Sequence, residues 1–288
     1  MTLSICQLTS ICGKGCTWKR ILSIFCLCLC FLKAEAQDLP LTDGEQVDYD
    51  LYFKWGVLMP KAGLARLSVQ DSLYAGESAW YYGLVFRTSG MLEKIFKMRD
   101  TIECYYSKSP RLLFSSKRTN EGDHYRIDEL TFNYKEKDRT EIHSLRRSLT
   151  EIKIDTLLIT EGLVFDMLAA TMYLRSLDWS DMHMDDDFPF ITAIGRDLVK
   201  VRFRYTGQRI VEHKNAKYST RHFYIDIYDE AFTQTKEAAE VWIGDDENHI
   251  PVKIRAKLKI GAAEVYYKDS QGLRTPLRCR FIIPNGEN

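Results

Sequence analysis

The chain is 288 residues long, 45% hydrophobic and 28% charged, with 40 lysines and arginines against 40 aspartates and glutamates. Those are globular values, biased neither toward disorder nor toward a bundle of membrane helices. With no cationic excess, the electrostatic argument for nucleic acid falls away.

The first element is a leader. Lys14, Lys19 and Arg20 precede an apolar run over residues 21–32, and Lys33 and Ala34-Glu35-Ala36 follow before Gln37. A charged start, a short apolar core and a small-residue cleavage site predict a secretory signal peptide over residues 1–36. The run is too short to span a bilayer comfortably, so a cleaved signal is expected and not an integral membrane protein, with an uncleaved N-terminal anchor as the alternative. Cleavage removes four cations (Lys14, Lys19, Arg20, Lys33) and one anion (Glu35), leaving 252 residues with a net charge of −3. Six of the eight cysteines lie in this leader, and only Cys104 and Cys279 remain, too few for a CxxC redox or zinc motif. Leu27 and Leu29 precede Cys28 and Cys30, and Cys16, which follows Gly15, lies ahead of the apolar run, so a lipoprotein site is not expected. The expected location is the periplasm of a diderm bacterium. There Cys104 and Cys279 can form one disulfide, worth a few kcal/mol in the chain-entropy view, or stay as two buried thiols. The sequence leaves both open.

After the leader, Val47, Tyr49, Leu51, Phe53 and Trp55 alternate with Gln46, Asp48, Asp50 and Lys54, the period of a strand with one wet face. Ala65, Leu67 and Val69 against Arg66, Ser68 and Gln70 predict a second strand, and the aromatic and β-branched residues 80–87 a third. Met91, Ile95 and Met98 have helical spacing, which predicts a short helix or a tight crossover. Residues 99–106, 111–119, 125–134, 140–147 and 151–159 then read as five strands separated by polar turns. The main helix is predicted over residues 162–177. Leu163, Met167, Ala170 and Leu174 form one stripe and Val164, Leu168 and Met172 another, a face wide enough to be buried against a sheet. Thr160 is its expected N-cap, with Glu161 and Arg175 suited to the two ends of the helix dipole. Further strands are predicted at 188–194, 198–205, 221–228, 239–243, 251–260 and 263–267, and Phe281, Ile282 and Ile283 are expected to pin the tail. The most regular is 251–260, where Val252, Ile254, Ala256, Leu258 and Ile260 alternate with Lys253, Arg255, Lys257 and Lys259. The predicted fold is mostly β. A large curved antiparallel sheet, an open barrel or sandwich-like, packs on one main α-helix in a single domain over residues 37–288.

Chemistry-bearing motifs are sparse. Asp181, His183, Asp185 and Asp187 recur at every second position, but the calcium-loop pattern with its central glycine is missing, and a solvated acidic loop is the reading adopted. Residues 244–249, GDDENH, hold the residues a turn between strands needs. No GxSxG, HExxH or phosphate-binding glycine loop occurs, and no metal or cofactor is expected. The basic row Lys253, Arg255, Lys257 and Lys259 suits phosphates of envelope lipids. The competing reading is a solvated face paired with acids such as Asp48 and Asp50.

Four stretches resemble an exported bacterial family catalogued as domain of unknown function 3108. They are GEQVDYDLYFKWGVLMPKAGLARLSV, RTSGMLEKIFKMRDTIE, VFDMLAATMYLR and AEVWIGDDENHIPVKIRAKLKIG. The resemblance implies an envelope protein with a curved antiparallel sheet and assigns no catalytic residue. Such sheets are also similar to those of lipoprotein carriers that hold acyl chains in a concavity, a likeness of fold alone. The expected function is therefore a non-enzymatic protein that shelters an apolar or lipid-like ligand or docks an envelope partner. Phe53, Trp55, Trp80 and Trp242 are its candidate lining residues, with plain core packing as the competing reading. A hydrolase or carbohydrate-active enzyme using an Asp/Glu pair and a structural subunit of an envelope assembly are the alternatives.

Overall fold

The computed structural model describes residues 39–95, 97–109, 111–121, 124–136, 138–228, 235–258 and 260–282. The leader, Lys259 and Ile283 lie outside the described residues.

The alternating residues form the strands that their period demands. β1 (Gln46–Lys54), β2 (Lys61–Tyr74) and β3 (Glu77–Thr88) are followed by the short helix α1 (Gly90–Ile95). β4 (Arg99–Ser107), β5 (Leu112–Glu121), β6 (His124–Tyr134), β7 (Arg139–Arg147) and β8 (Ile152–Glu161) continue the meander. The second half holds β9 (Val164–Phe165), α2 (Met167–Arg175), β10 (Asp187–Ile194), β11 (Asp197–His213), β12 (Ala216–Ile227) and β13 (Thr235–Gly244). β14 (Pro251–Lys257), β15 (Ala262–Gln271) and β16 (Arg280–Ile282) complete it. One sheet runs β8-β7-β6-β5-β4-β3-β2-β1-β15-β14-β13-β12-β11-β10-β9, with β16 beside β12. Pairing of β1 with β15 therefore joins an N-terminal meander to a C-terminal one. The sheet curls on itself, because Ser144 Oγ on β7 donates to Gly195 O in the β10–β11 turn at 2.6 Å although these strands lie near opposite ends of the order. This is a barrel-like sheet that its own end strands do not close.

The inward parity is apolar and wraps α2. Val47, Leu67, Tyr82, Phe132, Phe223 and Val252 belong to one continuous core with Leu168, Met172 and Leu174 of the helix. The helix is shorter than its apolar stripe. Thr160 lies in β8 and is no cap; Gly162 turns the chain at φ +90°, and Val164 and Phe165 pair in parallel with Ile191 and Thr192 of β10. The N-cap is Asp166, whose carboxylate accepts from Ala169 N at 2.6 Å. Burial of that cap raises its pKa to about 6 despite the amide hydrogen bonds it accepts.

Arg175 stands in the last turn of α2, as expected, and does more there than meet the helix dipole. Its side chain is 0% exposed and grips Glu45 with two bonds of 2.7 and 3.0 Å. The same guanidinium donates to Pro40 O at 2.9 Å and Asn248 O at 3.0 Å. One side chain therefore ties the N-terminal segment, the helix and the 244–250 turn together.

The choice left open at the cysteines is resolved, and one further expectation changes. Cys104 and Cys279 are free and buried, not bridged. Cys104 on β4 pairs across to Tyr82 and Ser115, whereas Cys279 sits against Gly244 and receives its order from Asp246, which accepts from its backbone N–H at 3.0 Å. Strand β14 stops at Lys257, so Leu258 and Ile260 are 48% and 66% exposed and are not core. The cause is the turn after it, where Leu258 N donates to Gly261 O at 3.1 Å and Gly261 takes φ +74° against the Lys54 carbonyl.

Candidate functional site

The outward parity of the central strands builds a polar and aromatic face in two adjacent rows. Cross-strand register sets His222, Trp242, Lys253, Tyr266 and Asp50 side by side across β12, β13, β14, β15 and β1. The neighbouring row is Tyr224, Glu240, Arg255, Glu264 and Tyr52. Such opposed side chains are in contact distance by sheet geometry alone. In the first row the rings of His222 and Trp242 lie 4.5 Å apart, and Lys253 Nζ sits 4.4 Å from the Trp242 ring centre and 5.2 Å from that of Tyr266. In the second, Glu264 is the hub. It accepts from Tyr266 Oη at 2.6 Å and lies within 4 Å of Lys54 (3.7 Å), Lys253 (3.8 Å) and Arg255 (3.6 Å).

The basic row is therefore gathered on one strand face but shared with acids. Arg255 also meets Glu240 at 3.4 Å and Lys257 meets Glu237 at 3.6 Å. Asp50 is committed elsewhere, to Lys61 at 2.6 Å and Lys214 at 2.7 Å. Burial opposes the charge on Glu264, but its bond from Tyr266 and the cations Lys253, Lys54 and Arg255 hold its pKa below the usual range. Burial lowers the Lys253 pKa, partly offset by Glu264.

The sequence predicted strands over 198–205 and 221–228 and missed the continuation of β11 to His213 and the first residues, 216–220, of the returning β12. This hairpin bends over the outer face. The His213 ring stacks 4.3 Å above Tyr266, and the Lys214 ammonium reaches Asp50. The signal was present in Lys214-Asn215 between two alternating segments, but Gly207 and a register shift between Tyr205 and Gln208 broke the period. Of the expected aromatic lining, Trp242 belongs to this face. Trp55 is 61% exposed beyond β1, Trp80 lies on β3 under the Lys108 ammonium at 3.1 Å, and Phe53 lies on the inward parity of β1. The structure does not bring these four together.

Burial, then Arg209, Lys253 and Arg204, push the His222 pKa down from 6.5 to about 4. Its Nδ1 lies 2.6 Å from Thr206 Oγ1. Between those two pH values the unfolded chain binds the proton and the folded chain does not, so this contribution is complete above about 6.5 and is lost as pH falls toward 4. Thermal melts across this window are expected to show a shallower loss for His222→Gln than for the parent, a difference on the order of 1–3 kcal/mol once solvent screening is allowed for. Asp166 works with the opposite sign in an overlapping window. The quantity to compare is thus the difference between parent and variant, and equal slopes would remove His222 from the account.

Next to these rows, a groove of about 310 Å³ opens on the outer face where β1, β2, β3 and β15 meet. It is lined by Asp48, Tyr49, Leu64, Ala65, Arg66, Val85, Arg87 and Lys268. Leu64 and Val85 are apolar residues on a wet parity, a signal in the sequence that could have marked this groove but was not read from it. Arg66 is held bidentately by Asp48 at 2.6 and 2.9 Å. Arg87 has no ion-pair partner among the described residues, and Lys268 reaches only into the field of Asp48. Three cations against one acid leave the lining net positive by two.

Residues 244–249 form the turn that was expected. Asp245 accepts from Arg221 at 2.9 Å, Asp246 from Asn248 N at 3.0 Å and Glu247 from Arg278 at 2.9 Å, while His249 Nδ1–H donates to Arg175 O at 2.8 Å. These acids are occupied in building the loop. No group of His, Cys, Asp and Glu among the described residues could hold a metal, and no described helix is long and apolar enough to cross a membrane.

The fold is similar to that of a β-barrel-like protein of domain of unknown function DUF1849 from Brucella abortus, known from a crystal structure. The TM-score is 0.55 at 9% identity, covering 80% of this chain and 99% of that one, so the likeness is one of fold. No curated protein matches the chain. The family model for proteins of unknown function DUF3108 matches residues 48–268, which contain all the rows and the groove described above, and the chain belongs to that family.

Proposed function

We propose that this chain is an exported, non-enzymatic binding protein of the bacterial envelope that takes an anionic, lipid-like ligand in the groove of β1, β2, β3 and β15. The observation carrying this reading is the lining itself, with Leu64 and Val85 as an apolar floor and Arg87 and Lys268 as cations not neutralised by a close acid. An alkyl segment gains roughly 25 cal/mol per Å² of apolar surface removed from water. A carboxylate or phosphate then supplies the charge-assisted bonds that the arginine is free to make. The volume lies at the small end of ligand sites, which suits a headgroup with its first carbons and not a whole lipid. Export rests on the leader pattern of residues 1–36.

Calorimetric titration of the full chain with a medium-chain fatty acid, a short-chain anionic phospholipid, inorganic phosphate and a neutral alkyl glycoside separates the contributions. Binding of the two anionic amphiphiles is expected, with the Arg87→Glu/Lys268→Glu variant about tenfold or more weaker. Both residues are exposed, so the variant is expected to fold. Equal binding of the neutral glycoside, or an affinity indifferent to the double charge reversal, would exclude this function.

A further inference from the structure

Strand β8 stands at one end of the strand order, so one of its edges has no strand partner among the described residues. Lys153 is the extra residue of a bulge against Arg146 and Arg147 of β7, and the exposed Arg196 donates to its carbonyl at 3.3 Å, a bond that a second strand would have to displace. From Ile154 to Glu161 that edge makes no backbone bond to another strand among the described residues. Its outward parity carries Lys153, Asp155, Leu157, Ile159 and Glu161, all exposed, with Leu157 at 56% and Ile159 at 49%. A long edge with two exposed aliphatic side chains is a template for another strand.

Charge complementarity selects the occupant. An antiparallel pairing of β8 with itself, with Leu157 on the two-fold axis, sets Lys153 opposite Glu161 twice, Leu157 against Leu157, and Ile159 opposite Asp155. Moving the axis one residue toward the C-terminus sets Asp155 against Glu161. Moving it one residue the other way sets Lys153 against Ile159 and Asp155 against Leu157, which forms no ion pair. The first opposes like charges and the second leaves Lys153 and Glu161 without each other, so both neighbouring registers are disfavoured. An axis between residues would place outward side chains opposite inward ones. The two charges are also available. Glu161 has no ion-pair partner among the described residues, and Lys153 has only the exposed Glu151 at 3.8 Å. A lysine on an edge ordinarily discourages pairing. In this register it meets an acid from the second copy.

We infer that β8 is a self-complementary interface through which two copies of this chain pair edge to edge, joining their sheets about a two-fold axis. It uses the opposite end of the strand order from the β9 edge and none of the groove residues, so it is independent of the ligand reading.

Sedimentation equilibrium of the full chain across the micromolar range tests it. A monomer–dimer equilibrium is expected for the parent. Lys153→Glu and Glu161→Lys are each expected to weaken the dimer by about tenfold or more, and the combined Lys153→Glu/Glu161→Lys variant to return it to near the parent value. All these positions are exposed, and unchanged circular dichroism would show that each variant folds. A parent that stays monomeric throughout, a dimer indifferent to the single reversals, or a double variant as weak as the singles would each overturn the proposal.

Discussion

Arg175→Met is expected to lower unfolding stability by about 3–5 kcal/mol, because it leaves the Glu45 carboxylate buried without its cation. Both side chains are essentially inaccessible, at 0% and 1% exposure, and the guanidinium also satisfies the Pro40 and Asn248 carbonyls. Burial alone would favour loss of the charge, but Glu45 and Tyr82 keep Arg175 protonated. The loss therefore belongs to orphaned partners more than to a missing attraction. Adding Glu45→Leu to Arg175→Met removes the orphaned charge and is expected to recover much of the deficit, since apolar replacements of buried pairs are often tolerated. Urea unfolding followed by the fluorescence of Trp179, which stacks on His249 at 3.7 Å beside this cluster, would read both variants. If Arg175→Met unfolds within about 1 kcal/mol of the parent, the clasp is not a stability element.

Phe165→Ala is the second large effect, also about 3–5 kcal/mol. Phe165 is nearly inaccessible and forms the centre of an aromatic cluster, 5.0 Å from Tyr173 on α2, 5.9 Å from Phe190 on β10 and 6.2 Å from Tyr106 on β4. Truncation opens a cavity bordered by three separate elements that cannot collapse together. Leu163→Ala, two residues earlier and half exposed, is expected to be nearly neutral. Were residues 162–177 one helix with Leu163, Met167, Ala170 and Leu174 buried as a single stripe, Leu163→Ala would be costly too; Leu163 and Met167 are instead 48% and 75% exposed, so chemical denaturation of the two variants distinguishes the arrangements. Comparable losses for both would contradict the strand assignment of Val164–Phe165.

The strands were legible because a half-buried strand must alternate, and β1, β2 and β14 do so residue by residue. The helix was legible as a type but not at its start. Val164 and Phe165 continue the apolar stripe that a helix would show, and only their pairing with Ile191 and Thr192 reveals an extended backbone. Exposure was least legible at strand ends. Leu258 and Ile260 keep the alternation of β14, but their turn carries them past the last strand that could cover them. The candidate face was partly legible. Lys253, Arg255 and Lys257 could be placed on one wet parity, yet their acids, Glu240, Glu264 and Glu237, come from neighbouring strands that no local pattern links to them.

By itself the sequence determined local periodicity: which segments extend, which one coils, and which side chains share a face. Those follow from backbone geometry and the transfer of apolar groups out of water, and both act within a few residues. Only the tertiary structure decided that β1 would lie beside β15, that Arg175 would close on Glu45 130 residues away, and that Leu64, Val85, Arg87 and Lys268 would line one groove. These are matters of strand order and register, set by which long-range pairings leave the fewest buried groups unsatisfied, a sum over the whole chain that no local stretch contains.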